Sequence, residues 1–241
     1  MPSSVGASGV MAASAADAPT GRDRRFRGLL LRILSAVVLG PLLLAAVWFG
    51  FPWIDLVAAV VAPLMMRELT RLTQGRPVVR LSAFVYVLAA LVALLWLRHQ
   101  PEMGRETVIW ILACTWATDI GAYFVGASAG GAKLAPRISP SKTWSGLIGG
   151  MAWAAVASAA TGLAFGLGTT FSLAAIGAVL AVVAQLGDLA ESALKRGADV
   201  KDSGNLIPGH GGLLDRVDGL VAVLVVTALI RLTVGGAWPW T

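Results

Sequence analysis

The 241-residue chain is 57% hydrophobic and only 13% charged, with a formal net charge of +6 and a mean hydropathy of +0.77. Because an ordinary soluble domain is about 25% charged, this composition excludes a typical water-soluble fold, and it excludes disorder beyond the first few dozen residues. The single cysteine, Cys114, cannot form an internal disulfide, which excludes a disulfide-stabilised secreted scaffold. The basic residues stand between apolar blocks, so we expect no nucleic-acid partner and favour anionic lipid or phosphate ligands.

The chain begins with small and polar residues that lack the apolar bulk needed for packing. We predict a flexible basic tail over residues 1–26. Arginines at its end precede an apolar run, which is also typical of a cleaved signal peptide. That run continues well past the length of a signal-peptide core, and no clean small-residue cleavage site follows it. A first membrane helix that stays in place is therefore favoured.

Seven apolar stretches follow, each close to the roughly 20 residues that an α-helix needs to cross a bilayer. We therefore predict an all-α, polytopic integral membrane protein with about seven transmembrane helices. Residues 27–105 are assigned to N-terminal membrane helices and residues 106–241 to a catalytic membrane domain with cytoplasmic loops at 127–145 and 188–218. The seven stretches are 33–51, 53–66, 81–97, 107–126, 146–167, 171–187 and 214–235.

The placement of lysine and arginine predicts the orientation of these helices. Sixteen of the 19 basic residues fall in four segments, one before the first stretch and the others after the second, fourth and sixth stretches. With seven spans, all four segments lie on one side of the membrane, and the positive-inside rule assigns that side to the cytoplasm. We therefore expect a protein of the plasma (inner) membrane whose N-terminus and active-site loops are cytoplasmic.

Acidic residues are concentrated near the last of these connections. If the sixth helix continues past its apolar stretch, Asp188, Glu191 and Lys195 share one face at i, i+3 and i+7. Ser192, at i+4, belongs to the same face. Two more aspartates open the final helix, where the helix dipole favours negative charge. The seven acids in or beside spans four, six and seven are Asp119, Asp188, Glu191, Asp199, Asp202, Asp215 and Asp218.

This pattern of residue types suits one kind of chemistry. Carboxylate oxygens are the ligands of hard divalent cations, and the interleaved lysines and arginines suit phosphate groups. Metal and polyphosphate together at a bilayer surface indicate phosphoryl or nucleotidyl transfer on a lipid. For Glu191, Asp199 and Lys201, a merely solvated charge is an equally good interpretation.

Two earlier segments also carry polar residues. Asp119 lies within the fourth apolar stretch, where a carboxylate costs on the order of 2.5–3.5 kcal/mol on insertion scales. We expect it to face a polar cavity and to bind a ligand or metal, with a structural hydrogen bond as the alternative. The next connection places Lys142 among hydroxyl groups that suit phosphate oxygens, although a merely topogenic basic loop is the alternative. These hydroxyl groups belong to Ser139, Ser141 and Thr143.

Around these residues the chain resembles the phosphatidate cytidylyltransferases, also called CDP-diacylglycerol synthases. Residues 192–218 match the family motif S-x-L-K-R-x4-K-D-x-G-x2-I-P-x-H-G-G-L-x-D-R-V-D, and residues 138–144, ISPSKTW, resemble a second family segment. Such fixed spacing over many positions makes a chance match negligible. The resemblance implies that CTP and phosphatidate are converted to CDP-diacylglycerol and pyrophosphate in phospholipid biosynthesis. Where many members have a glutamate, this chain has Ser145, so no catalytic carboxylate is expected there.

The resemblance also implies cofactors, partners and residue roles. It implies that Mg²⁺ is required and that Asp188, Asp215 and Asp218 are the metal ligands, and it leaves a second cation and a homodimer open. The basic residues clamp phosphate oxygens, and His210 orients a phosphate. The implied catalytic residues are Asp188, Lys195, Arg196, Lys201, Asp202, His210, Asp215, Arg216 and Asp218. The implied substrate-binding residues are Asp119, Ser139, Ser141, Lys142, Thr143, Ser192, Gly211 and Gly212.

Two other functions need similar residues. A CTP-dependent lipid kinase of the polyprenol type, or a related nucleotidyltransferase, would use the same metals and phosphate clamps, so the residues alone separate it poorly. A cation-coupled transporter could use Asp119 and Asp188 as an ion path. The concentration of charge in one predicted cytoplasmic patch, and not along the bilayer midplane, argues against a transporter.

Overall fold

The computed structural model describes residues 35, 37–166, 168–207, 211–235 and 238–240. The tail predicted over residues 1–26 lies outside these residues, as does His210. Seven α-helices follow one another along the described chain. They are α1 (Val37–Phe49), α2 (Trp53–Leu72), α3 (Pro77–Arg98), α4 (Gly104–Ala129), α5 (Trp144–Phe165), α6 (Thr170–Gly197) and α7 (Leu214–Val234).

Five of these helices, α3 to α7, are long and apolar enough to cross a membrane. They contain 21 to 28 residues, which at 1.5 Å per residue is about 32–42 Å, against a hydrocarbon core of roughly 30 Å. The chain is therefore an all-α integral membrane protein, as the apolar stretches predict. The described part of α1 is shorter, and α2 carries two acidic residues and two arginines. The count of seven spans therefore stays a prediction.

Small residues set the close packing of α4, α5 and α6. A Cβ atom at Gly121 of α4 would lie 2.6 Å from the Cβ of Trp153 on α5. A Cβ atom at Gly177 of α6 would lie 2.7 Å from the carbonyl oxygen of Ala154 on the same helix α5. Close contact between backbones is the usual way in which membrane helices associate. Five of the six buried residues of α5 recur at every fourth position, namely Gly146, Gly150, Ala154, Ser158 and Gly162, and the sixth is Gly149.

The connection between α4 and α5 forms an antiparallel hairpin of two short strands, β1 (Lys133–Ala135) and β2 (Ser139–Thr143). Lys133 pairs with Thr143 and Ala135 with Ser139, with an irregular register between the two pairs. Residues 127–145 were expected to be a loop, so the hairpin is an addition to the all-α prediction. Thr143 then ends the hairpin by capping α5, because its hydroxyl accepts a hydrogen bond from the backbone N–H of Gly146 at 3.1 Å.

The three basic connections within the described chain meet at one end of the bundle. Glu68, near the end of α2, binds the start of α7. Arg196, near the end of α6, donates a hydrogen bond to the carbonyl of Ile138 in the hairpin. At the opposite end, Arg231 of α7 donates to the carbonyl of Glu102, just before α4. The bundle therefore has one end rich in polar connections, and its placement in the cytoplasm stays a prediction.

An apolar core supports this polar end from within the bundle. Met65 and Leu69 of α2 pack with Val87 of α3 and with Leu214 and Val221 of α7. The core therefore joins the first turns of α7 to two neighbouring helices. The first turns of α7 are thus positioned by packing against α2 and α3.

The membrane side of the polar end can be tested by cysteine labelling in a Cys114→Ala background. Cys114 is the one cysteine of the chain, so each introduced cysteine is then the single thiol. Asn205 is exposed in the α6–α7 connection, and Glu102 is exposed at the opposite end. We expect a membrane-impermeant maleimide to label the Glu102→Cys variant in intact cells and the Asn205→Cys variant only after permeabilisation, as the positive-inside rule requires. Labelling of the Asn205→Cys variant from outside would contradict this orientation.

Candidate active site

A buried salt bridge joins the end of α6 to the start of α7. The Nζ atom of Lys195 lies 2.7 Å from Oδ1 of Asp215 and 3.4 Å from Oε1 of Glu191. The three side chains are 11%, 5% and 8% exposed, respectively. An uncompensated charge in such a place is strongly destabilising, so the lysine and the two carboxylates depend on one another.

Asp215 also fixes the connection between α6 and α7. Its Oδ2 atom accepts hydrogen bonds from the backbone N–H of Ser203 at 2.9 Å and of Gly212 at 2.8 Å. Between these two residues, Ile207 and Gly211 form an isolated antiparallel bridge. Gly211 has φ +89°, a conformation that favours glycine. One carboxylate therefore binds both ends of the loop and the lysine of α6.

A second lysine joins the hairpin to α6. The Nζ atom of Lys142 lies 2.5 Å from Oδ2 of Asp188 and 2.8 Å from Oε1 of Gln185. The hydroxyl of Ser192 donates to Oδ1 of Asp188 at 3.2 Å. The hairpin thus places the ammonium group of Lys142 beside the predicted acidic face of α6. Gln185 was not among the predicted residues.

Carboxylates from three helices come together near this lysine. Asp119 of α4 is close enough to Asp188 and Asp218 for their charges to repel. Its charge is also attracted by those of Lys142 and Arg216. Asp119 therefore faces the charged cluster, although whether it binds substrate or metal stays a prediction.

The three predicted metal ligands have different surroundings. Asp188 contacts Lys142, whereas Asp215 contacts Lys195, and Asp218 interacts electrostatically with Asp188. Within the described ranges, no group of three or more His, Cys, Asp or Glu side chains is arranged to hold a metal by itself. The convergence of Asp188 and Asp215 on one ion stays a prediction.

Glu68 of α2 is a member of this region that the sequence motifs do not identify. Its side chain is buried, and its carboxylate accepts hydrogen bonds from the backbone N–H groups of Leu213 and Leu214, each at 2.9 Å. The hydroxyl of Ser203 donates a third bond at 3.1 Å. Helical periodicity places Glu68 on the same face as the buried apolar residues of α2, and that position is the signal that could have identified it.

An apolar cavity of about 370 Å³ borders the charged cluster. Arg216, in the first turn of α7, lines this cavity and also interacts electrostatically with Asp119. Trp116 of α4 contributes an aromatic wall. The aliphatic part of the lining includes Leu39, Val61, Leu91, Leu94, Leu220 and Leu224.

The site contacts described so far do not include Arg196, Lys201, Asp202 and Thr143. Arg196 donates hydrogen bonds to two backbone carbonyls, and Lys201 and Asp202 are exposed in the α6–α7 connection. The hydroxyl of Thr143 serves as the cap of α5. Substrate contacts of these residues stay predictions, as do those of Ser139, Ser141, Gly211, Gly212 and His210.

Comparison with known proteins gives matches over most of the chain. A family model described as "Cytidylyltransferase family" matches residues 76–234. The phosphatidate cytidylyltransferase of Rickettsia bellii (strain RML369-C) is 34% identical over 217 residues, which cover 87% of this chain and 94% of that protein.

Higher identity is confined to shorter matches. The phosphatidate cytidylyltransferase of Brucella suis biovar 1 (strain 1330) is 47% identical over 133 residues, which are 55% of this chain and 49% of that protein. The corresponding protein of Bacillus subtilis (strain 168) is 46% identical over 129 residues, which are 53% of this chain and 48% of that protein. The chain thus spans about half the length of these two relatives.

The buried salt bridge leads to a prediction about stability. A Lys195→Met variant leaves the carboxylates of Glu191 and Asp215 buried without their counter-charge. Breaking a buried ion pair costs about 3–5 kcal/mol, which for a chain of this size lowers the unfolding temperature by roughly 6–20 °C. The measurement is thermal unfolding of the purified protein in detergent. Lys133→Met is the control because Lys133 is exposed, and equal unfolding temperatures for the two variants would contradict the role of the salt bridge.

Proposed function

Because the chain belongs to the cytidylyltransferase family, we propose that it is a CTP:phosphatidate cytidylyltransferase. The proposed reaction transfers CMP from CTP to phosphatidate and gives CDP-diacylglycerol and pyrophosphate. The observation that carries this proposal is the meeting of lysines and carboxylates from α4, α6, α7 and the hairpin at one end of a membrane bundle. A charged site at the end of membrane helices suits a reaction between a water-soluble nucleotide and a lipid.

Lys142 and Arg216 are the proposed contacts of the phosphate groups. Lys142 is held by Asp188 and Gln185, so its ammonium group is already directed into the cluster. Arg216 presents a planar guanidinium group, which can bind two phosphate oxygens at once. Charge-assisted hydrogen bonds of this kind are stronger where water is scarce.

The cavity beside Arg216 is the proposed place for the lipid substrate. Its aliphatic lining suits part of an acyl chain, while the adjacent arginine suits the phosphate of the head group. This arrangement would bring the phosphate of phosphatidate next to the nucleotide phosphates. The rest of the acyl chains can stay in the bilayer.

The donor set of the cluster fits Mg²⁺, with a second cation left open. Mg²⁺ is usually held by one or two carboxylates together with substrate phosphates, so a complete cage of protein side chains is not needed. Asp188 and Asp218 are the ligands we propose first, because their negative charges interact with one another and a bound cation would relieve this repulsion. Asp215 already accepts bonds from Lys195 and two backbone N–H groups, so we propose it as an additional ligand. When bound, the ion would neutralise charge on the triphosphate.

The proposed chemical step is an in-line displacement at the α-phosphorus of CTP. A phosphate oxygen of phosphatidate forms the new bond to this phosphorus, and the bond from the α-phosphorus to the bridging oxygen of pyrophosphate breaks. The nucleophile is already anionic, so little base catalysis is needed. Positioning and electrostatic stabilisation by the lysines and arginine would therefore supply most of the rate enhancement.

We propose that the site faces the cytoplasm at the inner membrane, where CTP is available. A homodimer is a separate proposal that follows from the family resemblance.

The proposed function can be tested with purified protein, labelled CTP, phosphatidate and Mg²⁺. We expect labelled CDP-diacylglycerol and released pyrophosphate, and removal of Mg²⁺ by a chelator should stop both. Release of CDP together with a phosphorylated lipid would instead identify a lipid kinase. Solute movement into liposomes without consumption of CTP would identify a transporter, and either result would overturn the proposal.

The same assay tests the proposed metal ligand on α6. An Asp188→Asn variant should lower kcat by about 10²–10³-fold, the loss typical of removing one electrostatic group from an active site, and should raise the Mg²⁺ concentration needed for half-maximal rate. Asp199→Asn is the matched control because Asp199 is exposed in the α6–α7 connection that follows this helix. Near wild-type activity and Mg²⁺ dependence in the Asp188→Asn variant would reject the assignment.

Arg216 can be tested with its charge retained. Arg216→Lys keeps the positive charge but loses the bidentate geometry. A charged hydrogen bond is worth about 1.5–3 kcal/mol, so we expect kcat/KM for phosphatidate to fall by roughly 10–100-fold. A value of kcat/KM equal to that of wild type would show that Arg216 contributes only charge.

A further inference from the structure

We infer that Glu68 is a positioning residue for the proposed reaction: it binds the backbone that leads into α7 and thereby places the aspartates and the arginine of the first turns of that helix. This inference rests on the proposed function. It assigns a role in the site to α2, which precedes the part of the chain matched by the family model, residues 76–234.

Two of the three hydrogen bonds of Glu68 go to the start of α7. Oε1 accepts from the backbone N–H of Leu213 at 2.9 Å, and Oε2 accepts from the backbone N–H of Leu214, also at 2.9 Å. The first N–H groups of a helix have no partner within the helix, and negative charge is favoured at this end of the helix dipole. A carboxylate from another helix therefore caps α7, whose N-cap residue, Leu213, provides no side-chain cap among the described residues.

Burial makes it costly to separate Glu68 from its hydrogen-bond donors. Glu68 is only 1% exposed, and a carboxylate removed from water is costly unless its oxygens are satisfied. The third donor, the hydroxyl of Ser203, completes this satisfaction at 3.1 Å. Separating Glu68 from these donors would leave buried polar groups unpaired. The contact therefore holds α2, the loop and α7 in one arrangement.

The loop is shaped to admit this carboxylate. A Cβ atom at Gly204 would lie 2.7 Å from Oε1 of Glu68, and a Cβ atom at Gly212 would lie 2.9 Å from the same oxygen. Both distances are shorter than real Cβ contacts, so a larger residue at either position would displace the carboxylate. The loop therefore approaches Glu68 closely at two separate glycines.

Ser203 connects Glu68 to the active-site cluster. Its hydroxyl donates to Glu68, while its backbone N–H donates to Asp215. Asp215 in turn binds Lys195. A change at Glu68 is therefore transmitted through one residue to the salt bridge between α6 and α7.

The direct test is a Glu68→Gln variant assayed with CTP, phosphatidate and Mg²⁺. Glutamine has nearly the same shape, but its NH₂ group would face a backbone N–H donor in place of an acceptor. We expect kcat per folded protein to fall by about 100-fold, the effect of a misplacement near 1 Å, with the KM for phosphatidate changed little. The unfolding temperature should also fall, because Glu68 is buried and bonded to three donors, but the variant should stay folded at the assay temperature. Glu106→Gln is the matched control, since Glu106 is paired with Arg105 outside the cluster, and it should retain wild-type kcat.

A second variant keeps the test decisive if Glu68→Gln does not fold. Ser203→Ala removes one of the three donors and should lower kcat by a smaller factor, roughly 5–10-fold, as expected for loss of one hydrogen bond of about 1 kcal/mol or slightly more. Hydrogen–deuterium exchange provides a readout that does not need activity. In both variants the backbone amides of Leu213 and Leu214 should exchange faster than in wild type.

The possible failures can be told apart. Wild-type protein that forms no CDP-diacylglycerol would overturn the proposed function, and the catalytic role of Glu68 with it. Active wild-type protein, together with wild-type kcat and unchanged amide exchange in the variants, would overturn this inference alone. A fall in kcat that only follows the folded fraction of the variants would also overturn it, because Glu68 would then be structural.

Discussion

The salt bridge between Lys195 and Asp215 is the interaction on which the rest of the site depends. It joins the end of α6 to the start of α7 across the whole intervening loop, and the same carboxylate binds the backbone of Ser203 and Gly212. Because both side chains are almost fully buried, removing either charge would leave the other buried and unpaired, at a large cost in the free energy of unfolding. The spacing of the two helix ends is therefore fixed, and with it the positions of the carboxylates that face the proposed nucleotide.

The residues that pack the helices together and the charged residues of the site occupy different parts of the bundle. Small residues allow α4, α5 and α6 to pack closely, so side chains at their polar end project from a rigid base. Asp119 reaches the cluster from α4, Asp188 from α6 and Asp218 from α7, which no single segment of the chain could arrange. Charges in such a water-poor place interact more strongly than in bulk water. Glu68 adds a fourth helix, and its contacts are with the loop and the first turn of α7.

The sequence predicts the helices well because long apolar stretches have few alternatives in a membrane. The α6–α7 motif likewise identifies Lys195 and Asp215, which the structure brings into contact. The motif does not identify the partner of Asp188. This residue pairs with Lys142, which lies 46 positions earlier in the printed sequence, and such pairing depends on packing between helices. The β hairpin is too short and contains too many prolines to give a periodic signal. Glu68 carries no motif. Helical periodicity places it on the buried face of α2, but its hydrogen bonds to the start of α7 become apparent only in the folded structure.

A structure determined with a non-reactive CTP analogue and Mn²⁺ in place of Mg²⁺ would show directly whether nucleotide and metal bind at the charged cluster. Anomalous scattering locates Mn²⁺ independently of the protein density. We expect a peak beside Asp188 and Asp218, with the triphosphate directed toward Lys142 and Arg216. Nucleotide bound at the opposite end of the bundle, or Mn²⁺ bound away from these carboxylates, would contradict this expectation.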